Sequence, residues 1–241
     1  DDSTFTAGND LSLTAGTSLT ANHSTVIATA GSATIKANGG DLSMNVSTIM
    51  AKTTLTGTAS GAVQLDDSAA TAGTDLSLTA GAALTGTDAT FTAGNNLSLT
   101  AGTSLTANDS TVIATAGSAT IKANGGDLSM NASTITAKTS VSGTASGGVL
   151  LDGSTLTATT GALTLGAAGG MLSMESADLV AGAALTGTAS AGVLLDASTA
   201  TAGTDLSLSA GTVLTGDDST FTAGNDLSLT AGTSLTANHS T

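Results

Sequence analysis

The chain has no cysteine, proline, tryptophan, tyrosine or arginine, and only three phenylalanines among 241 residues. Without cysteine there is no disulfide scaffold and no thiolate metal site. Without aromatics the usual means of filling a large, irregular core is missing. Ala, Leu, Val, Ile and Thr must then fill a core that is narrow and regular. Positive charge is nearly as scarce. Lys36, Lys52, Lys122 and Lys138 stand against seventeen Asp and Glu175, for a formal charge of −14. Affinity for phosphate comes from clustered Lys and Arg, so nucleic acid and anionic lipid are not expected partners. No run of about 18 apolar residues and no leader pattern occurs, so membrane insertion is not expected either.

What the chain does have is a repeat. The phrase STFTAGNDLSLTAGTSLTANH at Ser3–His23 recurs with variation from Ser24, Ser47, Ser68, Ala89, Ser110, Ser133, Ser154, Ala177, Ser198 and Ser219. A period of 21–23 residues is the signature of a solenoid, in which stacked units touch only their neighbours. Three unit types alternate. The 21-residue opening phrase is one. STVIATAGSATIKANGGDLSMNV from Ser24, at 23 residues, is the second, and STIMAKTTLTGTASGAVQLDD from Ser47 is the third. The two extra residues of the second type are expected at turns, because slipping a strand by one residue would turn its core face outward. Residues 3–67 match 89–153 at 54 of 65 positions, and residues 217–241 repeat 1–25 without change. Residues 1–241 are therefore expected to form one continuous array, a window of a longer tandem array with a 216-residue super-repeat.

Inside each unit, apolar or small residues come in pairs two apart, such as Phe5/Ala7, Leu11/Leu13 and Leu19/Ala21. Spacing by two is the strand period. Gly8-Asn9-Asp10, Ala15-Gly16-Thr17 and Asn22-His23 separate the pairs and read as turns. The expected fold is all-β. It is a right-handed parallel β-helix with three short strands per coil and about ten to eleven coils. The column from Phe5 through Val26, Ile49 and Ala70 to Phe91 predicts an internal stack of alternating large and small residues. The column Asp1, Asn22, Asn45, Asp66 predicts a polar ladder at one corner.

Beats such as NDLSLTAG and TSLTA resemble the haemagglutinin-type repeats of large secreted bacterial adhesins. That resemblance spans the whole chain. It implies a right-handed parallel β-helix, export by two-partner secretion, and a place outside the cell or on its surface.

No motif points to catalysis, a cofactor or a metal centre, and no catalytic, cofactor-binding or metal residue is assigned. AGND at Ala7–Asp10 is similar to the calcium-binding nonapeptide but lacks its second glycine, and reads as a turn. Asp10, Asp41, Asp75, Asp127, Asp205 and Asp226 precede strands and are expected to attract divalent cations only weakly. His23 and His239 occupy one repeat position, where a third copy carries Asp109, and read as solvent-facing turn residues. Serine is abundant but has no partner base. The expected role is structural and non-enzymatic: a filament or adhesin-stalk segment whose partner is another copy of itself. The alternative is a surface-binding module for ice or carbohydrate. It would use outward threonines such as Thr4/Thr6 and Thr90/Thr92, although Ile27, Ala69, Ile113, Asp178 and Val180 interrupt that row.

The Leu-Ser-Leu alternation places Leu97 and Leu99 inward with Ser98 outward, and likewise Leu11, Leu13, Leu227 and Leu229 around Ser12 and Ser228. Leu97→Asp should then cost about 3 kcal/mol or more through burial of an unpaired charge. An unchanged thermal melt of that variant would show the register to be wrong.

Overall fold

The computed structural model describes all residues 1–241 and contains no helix. Thirty-three strands form three parallel sheets of eleven, one sheet per face, with each strand paired to its equivalent in the next coil. The first face runs from Thr4–Ala7 to Thr220–Ala223, the second from Leu11–Ala15 to Leu227–Ala231, and the third from Leu19–Thr20 to Ser234–Thr236. At about 4.8 Å per strand, ten coil-to-coil steps span roughly 48 Å.

Register carries the repeat. Thr4 pairs with Thr25, 21 residues on, whereas Leu11 pairs with Ala33, 22 on, and Leu19 with Leu42, 23 on. The long coil therefore gains one residue at the first corner and one at the second, and every strand keeps its facing. The third corner, between coils, never changes length. Backbone hydrogen bonds number 172, and among those at the corners only Ser154 N to Leu151 O is local. All the others there join neighbouring coils. Because each strand lends its N–H groups to the coil beside it, proline has no place in the ladder.

The interior is a single apolar column with 63 buried hydrophobic residues. Leu97 and Leu99 are 1% and 0% exposed, as the alternation predicts. Leu227 keeps the same inward register, paired with Leu206, and its 49% exposure reflects its place in the last coil. Leu13 and Leu229, in the two outermost coils, are partly buried for the same reason.

Ala15-Gly16-Thr17 is not wholly a turn. Ala15 ends its strand, and its column (Ala15, Ala37, Ala59, Ala80 and onward) is alanine in all eleven coils, as is the column of Ala7. Both columns sit where two faces converge at a corner and only a methyl fits. Elsewhere the volume varies but is compensated. Gly57, in the middle of a second-face strand, is covered by Leu78 and Leu42. A Cβ there would lie 2.7 Å from Leu78 Cδ2. At the third corner Gly86 precedes Phe91, whose ring fills the space above it. A Cβ on Gly86 would lie 2.5 Å from Phe91 Cζ. Gly216 and Phe221 repeat the arrangement at 2.7 Å. The large-and-small stack is real, and glycine is the partner of each buried phenylalanine.

Size complementarity of this kind predicts a non-additive pair. Phe91→Ala should destabilise by about 3–5 kcal/mol and Gly86→Leu alone by about 1–3 kcal/mol. The double variant, which copies the Leu65–Ala70 corner found one coil earlier, should recover part of the loss. A double-mutant cycle in urea checks this, and strict additivity would refute it.

Candidate functional surfaces

The third corner is the most elaborate part of each coil. It contains a residue in the left-handed region at every turn. Asp2, His23, Val46, Asp67, Asp88 and Asp109 are among the eleven non-glycine examples, with φ between 50° and 54°, and Gly153 is the one glycine. Placing L-residues there costs about 1 kcal/mol each, and two side-chain rails flank the turn and hold it.

The inner rail is serine. The eight buried polar residues of the chain are all serines at the unit start: Ser24, Ser47, Ser68, Ser110, Ser133, Ser154, Ser198 and Ser219. The Ser110 hydroxyl accepts a hydrogen bond from Ala89 N–H at 3.0 Å and lies within donating distance of Gly86 O and Asn108 O. Each serine thus closes the turn of the preceding coil. Ala89 and Ala177 interrupt the rail. Before Ala177 the turn closes on itself, through Ser154 N–H to Leu151 O at 3.2 Å and the relaxed Gly153. Before Ala89 no such substitute exists.

The outer rail is the Asp/Asn column, and it runs with opposite polarity. Asn22 Oδ1 accepts from Asn45 N–H at 2.9 Å, Asn45 Oδ1 from Asp66 N–H at 3.1 Å, and Asp66 Oδ1 from Thr87 N–H at 2.9 Å. Thr87 and Glu175 interrupt it in sequence, and Asp196 makes no such bond to the next coil. This is the predicted polar ladder. It also explains the triplets Asn22-His23-Ser24, Asn45-Val46-Ser47 and Asn108-Asp109-Ser110, which have the spacing of a glycosylation acceptor. In the folded coil the serine hydroxyl is buried and the asparagine oxygen is already engaged. His23 is exposed at the tip of the turn, as expected. His239 Nδ1 lies 3.8 Å from Asp218 Oδ1, both well exposed.

The acidic residues before strands do not form one row. Asp10, Asp75, Asp205 and Asp226 sit at the first corner, and Asp41 and Asp127 at the second. Most of them tie coils together. Asp10 Oδ1 accepts Ser32 N–H at 2.8 Å, Asp41 Oδ1 accepts Ala62 N–H at 2.7 Å, and Asp127 Oδ1 accepts Gly148 N–H at 2.7 Å. No three His, Asp or Glu side chains come together in a group that could hold a metal ion.

The flattest hydroxyl surface is not the one flanking Phe5 and Phe91. On the first face Ile27, Met50, Ala69, Ile113, Asp178 and Val180 break the threonine row. On the second face every outward position is Ser or Thr except Lys36, Lys122 and Gly166. A shallow hollow at Gly166, between Thr144 and Thr188, interrupts it. The alternation Leu-Ser-Leu-Thr-Ala carried this signal, since its second and fourth residues must face out. Another hollow opens at the outermost coil, where Phe5, Leu13 and Leu19 are only partly buried. Comparison with protein-family models, curated proteins and solved structures finds no match to the chain.

Substitutions at the third corner test both the rail and the strained turn. Ala89→Ser should stabilise by about 1 kcal/mol by giving Ser68 N–H and Leu65 O the partner they lack, whereas Ser110→Ala should cost about 1–3 kcal/mol. Equal melting temperatures for both variants would refute the rail. Val46 is β-branched, 50% exposed and at φ 54°, so Val46→Gly should stabilise by up to about 1 kcal/mol. Chemical denaturation of the two chains measures it.

Proposed function

We propose that the chain is a structural, non-enzymatic rod: a segment of an extracellular filament or adhesin stalk whose partner is another copy of itself. The observation that carries this reading is uniformity. Three sheets and one apolar column run through all eleven coils, two side-chain rails follow them with few gaps, and most of the chemistry-bearing residues recur as parts of those ladders. The buried serines, and most of the aspartates that precede strands, are engaged in hydrogen bonds that close turns or join coils. Stacked units of this kind transmit load along the axis through many equivalent backbone hydrogen bonds. The acidic corners favour solubility between neighbouring rods, with divalent cations held there only weakly. The haemagglutinin-like phrasing of the repeat supports a place outside the cell.

A second reading has one specific observation in its favour, the nearly unbroken hydroxyl array of the second face. Such a face suits an ordered, hydroxyl-rich partner such as ice or a carbohydrate. Thr and Ser also fill exposed strand positions for their β-propensity alone, which is why the rod reading ranks first.

The two readings diverge in simple assays. A rod former should give filaments in negative-stain micrographs with an axial repeat near 48 Å, the span of ten coils at about 4.8 Å each. A compact monomer at high concentration, without filaments in scattering or microscopy, would refute that role. Ice-crystal shaping or glycan-array binding by such a monomer, lost in Thr186→Lys, would favour the second.

A further inference from the structure

Charge is sorted around the rod, and the sorting follows the corners. Eleven of the eighteen acidic residues lie at the third corner, between a third-face strand and the first-face strand that follows it. Asp67, Asp88, Asp109 and Asp218 occupy the exposed left-handed tip of that turn, and no lysine lies there. In a three-sided prism this corner stands opposite the second face. All four lysines border that face. Lys36 and Lys122 lie in its strands Ala33–Ala37 and Ala119–Ala123, and Lys52 and Lys138 at the first corner, just after Thr48–Ala51 and Thr134–Ala137. All four are exposed, and none forms an ion pair. The acids that share these edges in the first eight coils are Asp10, Asp41, Asp75 and Asp127. Each turns a carboxylate oxygen onto a backbone N–H of the next coil. The second face thus offers free ammonium groups around a floor of serine and threonine, and the third corner offers a ridge of carboxylates.

We propose that two rods dock side by side, the third-corner ridge of one copy on the second face of the other. This rests on reading the chain as a rod and adds a lateral contact to it. The axial placement of the charges fits such a pairing. Lys36 and Lys122 lie in coils that end at the uncharged turns Asn45-Val46 and Asn131-Ala132, so parallel rods held level leave them without a partner. A stagger of two coils, about 10 Å, changes this. Lys36, Lys52, Lys122 and Lys138 then face coils that end at Asp88, Asp109, Glu175 and Asp196, an acid for every lysine. At physiological ionic strength charges are screened beyond about 8 Å. Across the contact each rod therefore meets the nearest charges of the other, not its net charge of −14. Ridge against ridge still repels, which fixes the way round. Face and ridge are different surfaces of one copy, so the contact is heterologous and repeats into a sheet or bundle.

Complementation tests the contact, because each copy supplies both surfaces. One full-length variant carries Lys36→Gln, Lys52→Gln, Lys122→Gln and Lys138→Gln. The other carries Asp67→Asn, Asp88→Asn, Asp109→Asn and Asp218→Asn. None of these eight side chains is buried, and asparagine suits the left-handed tip as well as aspartate does, so folding is retained. Filaments of each chain are grown separately and viewed by negative-stain microscopy in about 0.15 M salt. Wild-type filaments are expected to lie side by side in bundles, and each variant alone as single filaments. Mixing the two variants should restore the bundles, since one supplies the face and the other the ridge. Salt of about 1 M, where screening sets in beyond about 3 Å, should disperse wild-type bundles. Single wild-type filaments, or mixed variants that stay single, would overturn the docking while leaving the rod reading intact. Decoration of single wild-type filaments by added polyglutamate, lost in the lysine variant, would overturn it in favour of a foreign polyanion. Chains that form no filament at all would overturn the rod reading, and the docking with it.

Discussion

Every coil must present the next one with the same edge of N–H and C=O groups, in the same places, and the rest of the structure depends on this constraint. A parallel ladder tolerates no slip, because moving one residue exchanges the buried and exposed faces of a strand. The coils accordingly differ in length only at the first and second corners. There one extra residue can bow outward while Leu11 still finds Ala33 and Leu19 still finds Leu42. The third corner admits no insertion, since its left-handed residue is held by rails from two neighbouring coils. The strain of that conformation is distributed over the whole stack, one small increment per coil, and is offset locally by a serine hydroxyl and an Asx oxygen.

The interior obeys a second constraint, constant volume in a narrow prism. Where two faces converge, alanine recurs in every coil. In the middle of a face, and across the third corner, size can move between neighbours: Gly57 beneath Leu78, Gly86 beneath Phe91. Two of the three phenylalanines, Phe91 and Phe221, have a coil before them, and both sit over glycine. This scheme accommodates near-identical repeats without making every coil interchangeable. Coil order is written in the pairs.

Surface chemistry arises from the same periodicity. The strand period places a hydroxyl outward at almost every second-face position, and the corners take up the acids. A residue that recurs every 21 to 23 positions is poorly suited to forming a unique pocket. Here the buried serines and most of the aspartates before strands serve as caps between coils.

The order of the strands, their inward residues and the turns between them were legible in the sequence by itself. A period-two alternation inside a 21–23-residue repeat has few other solutions, and Leu97, Leu99, Ile49 and Leu65 are buried where that alternation puts them. Several things were not legible, because they depend on which atoms meet across coils. The burial of the unit-start serines needed the neighbouring turn, whose N–H and C=O lie about twenty residues away in the chain. The inward methyl of Ala15 looked like part of an Ala-Gly turn until the converging faces gave it a core position. The acids before the second and third strands were legible in position, but their hydrogen bonds to the next coil were not. The exposure of Leu227 comes from the absence of a covering coil, not from its own register. Periodicity is local and can be read along the chain. Complementarity between coils is a property of surfaces in contact, and only the stacked structure brings those surfaces together.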